Sequence, residues 1–94
     1  MKPLGHPDSF HLQAAVGWLE LGNFTEANEE LENITPQLRA HPDVREVRWQ
    51  VYAAAKKWEA CVDIAAAITK LAPNRELGWI HRSYALHELI RTEE

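Results

Sequence analysis

Apolar side chains recur at intervals of three and four residues along almost the whole chain, which is the spacing of one face of an α-helix. No segment alternates apolar and polar residues for long enough to indicate a β-strand. Proline, glycine and asparagine divide the pattern into five helical segments. The sequence therefore predicts an all-α fold with five helices.

The first two helices are separated by a Gly-Asn pair, which favours a left-handed turn. The first helix is predicted to begin with Asp8 as its cap and to end near Leu21. It has two apolar stripes, so we expect it to pack against two neighbours. The second is predicted to begin at Thr25 and to end before Pro36, which cannot continue a helix. Leu38 is expected to attach the following turn to the core.

The remaining three helices are also bounded by proline and polar residues. The third is predicted to start with Asp43 as its cap and to run to about Lys57, the fourth covers 58–72, and the fifth extends from about Arg75 to Ile90. The predicted buried residues of the last four helices are Ala27, Leu31, Ile34, Val44, Val47, Val51, Cys61, Ile64, Ala65, Ile68 and Trp79.

Three helix starts have similar sequences, HPD at 6–8, HPD at 41–43 and APN at 72–74. Their prolines are 35 and then 31 residues apart. A period of this length is typical of helical repeat arrays, in which helix pairs bury their apolar faces by stacking on one another. Proline explains the end of the preceding helix and Asp or Asn the cap of the next. The histidine has no assigned role, because the third copy lacks it.

The tripeptide HPD is also the signature of J-domain co-chaperones, where it lies in a loop after a basic helix. Here the copy at 6–8 has no helix ahead of it, and the copy at 41–43 follows a glutamate-rich helix of the opposite charge. A J-domain-like function is therefore kept only as a remote alternative.

Two inter-helix turns resemble those of the tetratricopeptide repeat (TPR) family. LGNFTEA at 21–27 has the glycine, aromatic and small residue of that turn, and KKWEAC at 56–61 is similar. Pro73 is similar to the family's end-of-repeat proline, Trp79 to its first large residue, and Ser83 to its small packing residue. The resemblance covers nearly the whole chain.

This resemblance implies a right-handed solenoid of antiparallel helix pairs with about two and a half TPR-like repeats. The single domain 1–94 would contain repeat 1 at about 8–41, repeat 2 at about 42–73, and a half repeat or capping helix at about 74–94. Trp49 stands where the family has a small residue, so it either fills a gap in the packing or is partly exposed.

Composition narrows the range of functions. The formal charge is −4, and Lys and Arg are scattered rather than clustered, so we expect no nucleic-acid partner. No apolar stretch approaches the length of a membrane span, and the first residues lack a signal-peptide pattern. Together with the single cysteine, this predicts a cytoplasmic protein.

The reactive side chains do not form a recognisable catalytic pattern. His81 and His87 are six residues apart, on opposing sides of the predicted helix, and no His-x3-His pair exists. No general base lies at a sequence spacing that would place it beside the thiol of Cys61, and this residue is expected in the core. We therefore expect no enzyme activity, no metal site and no cofactor.

The TPR resemblance implies that the first helix of each pair lines a concave groove. The family's clamp for a terminal carboxylate uses Lys and Asn where this chain has Leu12 and Val16, so a free acidic C-terminus is not the expected ligand. The expected function is non-enzymatic binding of a peptide or amphipathic helix with apolar anchors. The alternative is a self-associating or architectural scaffold, a homodimer formed through exposed helix faces. The predicted groove residues are Leu12, Gln13, Val16, Glu20, Glu46, Val47, Gln50, Ala54, Ile80, His81, Tyr84 and His87.

Overall fold

The computed structural model of the chain describes residues 3–93, and side chains for residues 3–92. Within this range the protein is all-α, as predicted, and contains no strand. No helix in the range is both long and apolar enough to cross a membrane. The elements are α1 (Asp8–Glu20), α2 (Phe24–Glu32), a short 3-10 helix (Pro36–Leu38), α3 (Pro42–Ala54), α4 (Trp58–Leu71) and α5 (Glu76–Glu93).

The turns between α1 and α2 and between α3 and α4 have the same geometry. Gly22 and Lys56 each lie two residues before the next helix and have positive φ angles of 79° and 59°. The residue after each of them donates its amide to the carbonyl five residues back, at 2.9 Å in both turns. This left-handed turn recurs after 34 residues, although only the first copy has a glycine.

The start of α3 differs from the prediction that Asp43 caps it. The capping side chain is that of His41, whose Nδ1 accepts a hydrogen bond from the Asp43 amide at 3.0 Å. Pro42 lies in the first turn of α3, where the backbone N–H that proline lacks would have no partner within the helix. His41 is only 7% exposed, so the histidine of this HPD copy contributes to the fold.

The start of α1 also differs, because Asp8 does not cap its own helix. Its carboxylate instead accepts hydrogen bonds from the amide of Thr35 at 2.9 Å and from its hydroxyl at 3.0 and 3.1 Å. Asp8 is 7% exposed, and these bonds connect the start of α1 to the turn after α2. The cap of α2 is Asn23, whose side chain accepts from the Glu26 amide at 3.1 Å, rather than the predicted Thr25.

Two clusters of buried residues form the core, and α3 contributes to both. The first lies between α1, α2 and α3, and half-buried side chains of α1 such as Trp18 and Leu19 pack against it. The second lies between α3, α4 and α5. The first cluster is Ala15, Ala27, Leu31, Ile34, Val44, Val47 and Val51, and the second is Trp49, Cys61, Ala65 and Ala85.

Most of the predicted buried residues are confirmed, but Ile64 of α4 is only half-buried against the second cluster, and those assigned to α5 and to the turn after α2 are exposed. Trp79 is 51% exposed, with its indole N–H donating to the carbonyl of Pro73 at 3.1 Å, and Leu38 is 38% exposed. Ser83 is exposed, and the small residue that lets α5 approach α4 is the buried Gly78. The packing of α5 against α4 and α3 leaves the side of the helix that contains Trp79 exposed.

Each helix packs against the next one in the chain. In addition, α3 contacts both α1 and α5, so the first, third and fifth helices lie side by side. The molecule is elongated and measures 43 × 30 × 19 Å along its principal axes.

Candidate functional site

An open, largely apolar cavity of about 470 Å³ lies where α3, α4 and α5 meet. Ala53 and Ala54 of α3 are small and leave an open space, which larger side chains of α3, α4 and α5 enclose. The cavity faces solvent, since Ile80 and Tyr84 expose 57% and 51% of their surfaces. The lining residues are Trp49, Ala53, Ala54, Trp58, Ile80, His81 and Tyr84.

Four of the lining residues are ring systems in mutual contact. The imidazole of His81 stacks on the indole of Trp49, with ring centroids 4.0 Å apart and planes inclined by 16°. Tyr84 contacts Trp49 at 6.2 Å and Trp58 at 5.7 Å, both in edge-to-face geometry. Such contacts stabilise aromatic pairs beyond their buried area, so the wall of the cavity is positioned without a ligand.

Trp49 connects the cavity to the core. It is only 8% exposed, and its carbonyl accepts a hydrogen bond from the thiol of Cys61 at 3.7 Å. Its indole N–H is buried and has no acceptor among the described residues. An unpaired buried donor costs about 1–3 kcal/mol, so the ring is held in place by packing.

The electrostatics of the cavity centre on His81. Burial lowers its pKa, and the carboxylate of Glu46 opposes part of this shift. The imidazole is therefore uncharged at neutral pH and presents an apolar ring face. Glu46 is itself paired with Arg75 at 3.2 Å, and Arg75 also pairs with Asp43 at 2.7 Å. These hydrogen bonds, the one to Asp43 first, raise the pKa of Arg75.

The structure brings together four of the twelve predicted groove residues. Ala54, Ile80, His81 and Tyr84 line the cavity. Three further lining residues were not among the predicted groove residues, namely Trp49, Ala53 and Trp58. The sequence signal for Trp49 was its replacement of an expected small residue, while the role of Trp58 requires knowledge of how α4 packs against α5.

The other eight predicted groove residues lie outside this cavity. Leu12 packs half-buried against the first core cluster, and Val47, 7% exposed, belongs to that cluster. Val16 is 36% exposed on α1, and Glu46 is half-buried in its ion pair with Arg75. The remaining four are exposed and are Gln13, Glu20, Gln50 and His87.

Two other cavities have more polar linings. One of about 270 Å³ lies between α2 and α3, next to Phe24 and Tyr52, and one of about 500 Å³ lies between the start of α4 and the end of α5, next to Glu59 and Leu89. Lys57 borders both. Charged and polar side chains at their edges make them poorer sites for an apolar ligand than the cavity at α3, α4 and α5.

The side chains that could support catalysis or metal binding are dispersed. Burial raises the pKa of the Cys61 thiol to about 11, so it is protonated and a poor nucleophile at neutral pH. Among the described residues, no group of three or more His, Cys, Asp or Glu side chains could hold a metal ion. The cavity at α3, α4 and α5 is therefore the candidate site, and its open, apolar walls could accommodate an apolar ligand group.

Comparisons with models of known families, with curated proteins and with solved structures find no match to this chain.

Proposed function

We propose that this chain is a non-enzymatic protein-interaction module that binds apolar side chains of a peptide or amphipathic helix from another protein. The supporting observation is the cavity at α3, α4 and α5, whose walls are aromatic and aliphatic and whose volume is about 470 Å³. Ligand sites typically have volumes of about 300–1,000 Å³ and mostly apolar walls.

We further infer that the five helices form a TPR-like solenoid of about two and a half repeats. Two observations support this arrangement. The left-handed turn at Gly22 recurs at Lys56, and α3 contacts both α1 and α5. In an array of this kind the first helices of successive pairs form one surface, and the cavity lies between two of them.

The chemistry of the cavity favours an uncharged anchor. His81 is neutral at neutral pH because burial lowers its pKa, and the nearby Glu46 is paired with Arg75. A charged ligand side chain would lose its hydration without gaining a free partner there. An aromatic or branched aliphatic residue would gain contacts with the faces and edges of the rings.

The test is a selection of peptides from a displayed random library on the immobilised full chain, followed by affinity measurement by fluorescence anisotropy. Ile80→Glu places a charge at the cavity and should weaken binding on the order of 100-fold. Ile90→Glu is a matched control, because Ile90 is on the same helix, has the same 57% exposure and does not line the cavity. Equal losses for both variants, or no selected peptide, would contradict the proposal.

A second variant measures how far the binding surface extends. Val16 is exposed on α1 and is part of the predicted long groove, but it does not line the cavity. If the ligand also contacts α1, Val16→Glu should weaken binding about tenfold or more. If Val16→Glu has no effect while Ile80→Glu does, the site is confined to α3, α4 and α5.

The structure offers no support for the J-domain-like alternative, because Asp8 and His41 are each 7% exposed and hydrogen-bonded within the fold. The lack of enzyme activity is part of the proposal. A cytoplasmic location stays a prediction from the sequence.

A further inference from the structure

His81 is the member of the cavity wall that can change its charge near neutral pH. The other lining residues are two tryptophans, two alanines, an isoleucine and a tyrosine. Among the side-chain types, histidine alone ordinarily gains or loses a proton between about pH 5 and pH 8. The polarity of the wall therefore depends on one proton, carried by an imidazole ring on α5.

The stacking of His81 on Trp49 determines where water can reach the imidazole. One face of the imidazole lies on the indole, with ring centroids 4.0 Å apart and planes inclined by 16°. Trp49 is only 8% exposed and belongs to the second core cluster, so this face is closed to solvent. The rest of the ring is half-buried at the cavity wall. Water that hydrates a protonated His81 therefore lies in the cavity or at its rim.

The charged groups around His81 do not replace that water. Burial lowers the pKa of His81, and the carboxylate of Glu46 on α3 opposes only part of this shift. Glu46 is hydrogen-bonded to Arg75 at 3.2 Å, and Arg75, which directly precedes α5, also pairs with Asp43 at 2.7 Å. The side chain that α4 contributes to the wall, Trp58, is uncharged, as are the other lining side chains of α5.

We propose that the cavity binds its apolar occupant only while His81 is neutral, so that acidification releases the ligand. The inference rests on the proposed function and adds regulation by pH to the same site. An apolar group in the cavity takes the place of the water that hydrates the imidazolium, and the charge is then buried without a partner. The wall can therefore hold the charge or the occupant, but not both.

The empty cavity accepts the proton more readily than the occupied one. It is open to solvent, and an imidazolium stacked on an indole gains a cation–π attraction. An apolar occupant removes the solvent and leaves the stacking in place, so it disfavours the charged form of His81. Linkage is reciprocal, so a proton on His81 weakens ligand binding by the factor by which the occupant weakens proton binding.

The test is the Kd of the selected peptide for the full chain at pH 7.5 and pH 5.0, measured by fluorescence anisotropy. The peptide has blocked termini and contains no histidine, aspartate or glutamate. Because affinity falls as His81 becomes protonated, the Kd should rise on the order of tenfold between the two pH values. Far-ultraviolet circular dichroism confirms that the helices are intact at both.

Two variants assign the pH dependence to His81. His81→Phe keeps a ring at this position that carries no charge, so most of the rise in Kd should disappear. His87→Phe is the matched control, because His87 is on the same helix, is exposed and does not line the cavity. This variant should keep the rise.

A nuclear magnetic resonance titration of the imidazole signals follows the proton directly. His81 should titrate at lower pH with the peptide bound than without it, whereas His87 should titrate at the same pH in both. A selected peptide with the same Kd at both pH values, or a pH dependence that His81→Phe retains in full, would overturn this inference and leave the proposed function standing. If no selected peptide is weakened by Ile80→Glu, both fail.

Discussion

Replacing Gly78 with alanine is expected to destabilise the protein, although alanine is the better helix former. Gly78 is the third residue of α5 and is buried against α4. A Cβ atom at this position would lie 2.9 Å from Cγ2 of Ile68 and 3.0 Å from Cγ2 of Thr69. Both neighbours are β-branched, so their χ1 angles cannot easily change to make room. Either their side chains or the two helix backbones must shift.

The two opposing effects can be compared in magnitude. Overpacking of this kind costs about 1–3 kcal/mol, and replacing a helical glycine with alanine gains at most about 1 kcal/mol. We therefore expect a net loss of up to about 2 kcal/mol for Gly78→Ala. Gly17→Ala is the matched reference, because a Cβ at Gly17 meets nothing within 4 Å and should stabilise α1 by about 0.5–1 kcal/mol.

Thermal and urea unfolding, followed by far-ultraviolet circular dichroism, measure both variants. For a domain of this size, a loss of 1 kcal/mol lowers the Tm by about 4–8 °C, so Gly78→Ala should unfold well below the wild type and Gly17→Ala above it. If Gly78→Ala raised the Tm as much as Gly17→Ala, then α4 and α5 would not approach each other as closely as described.

The remaining predictions concern a turn, a histidine and a thiol. Lys56 has a φ angle of 59°, so Lys56→Gly should raise the free energy of unfolding by about 1 kcal/mol. Lys57→Gly is the control, because φ is −91° at Lys57 and the substitution should lower that free energy. A lower free energy of unfolding for Lys56→Gly in urea would refute the turn geometry. Because burial lowers the pKa of His81 in the folded state, the unfolded state binds its proton more tightly, and stability should fall as the pH decreases from about 7 through the folded pKa. His81→Phe should reduce the pH dependence of the free energy of unfolding, measured by urea titrations at several pH values. An unchanged pH dependence would contradict the lowered pKa of His81. Burial raises the pKa of the Cys61 thiol to about 11, so a thiol reagent at pH 8 should modify the native protein far more slowly than the urea-unfolded chain; equal rates would show that the thiol is accessible.

Helix number and position could be predicted from sequence because the signals are local. The first helix was predicted from Asp8 to about Leu21 and is observed as Asp8–Glu20. Apolar spacing and the flanking proline and glycine residues determine these limits with little help from the rest of the chain. The identity of the capping groups was not predictable in the same way. His41 rather than Asp43 caps α3, since the choice depends on backbone angles and on burial between α2 and α3.

The candidate site was predictable only in part for a related reason. The register of the TPR resemblance predicts Ile80 and Tyr84 as groove residues, and both line the cavity. Trp58 is the first residue of α4, and its contact with Tyr84 depends on how three helices meet. Trp79 was assigned to the core by register, but a helix with neighbours on two sides leaves such a residue exposed.

The position of α3 in both core clusters has a consequence for how the molecule opens. Val44 and Val51 of this helix belong to the first cluster and Trp49 to the second, so neither cluster can form without α3. By contrast, α5 contributes only Ala85 to a cluster. We expect hydrogen exchange of backbone amides to be slowest in α3 and fastest in α5 among the five helices. The helices around the two core clusters would then unfold in one cooperative step, and α5 would open locally before that step.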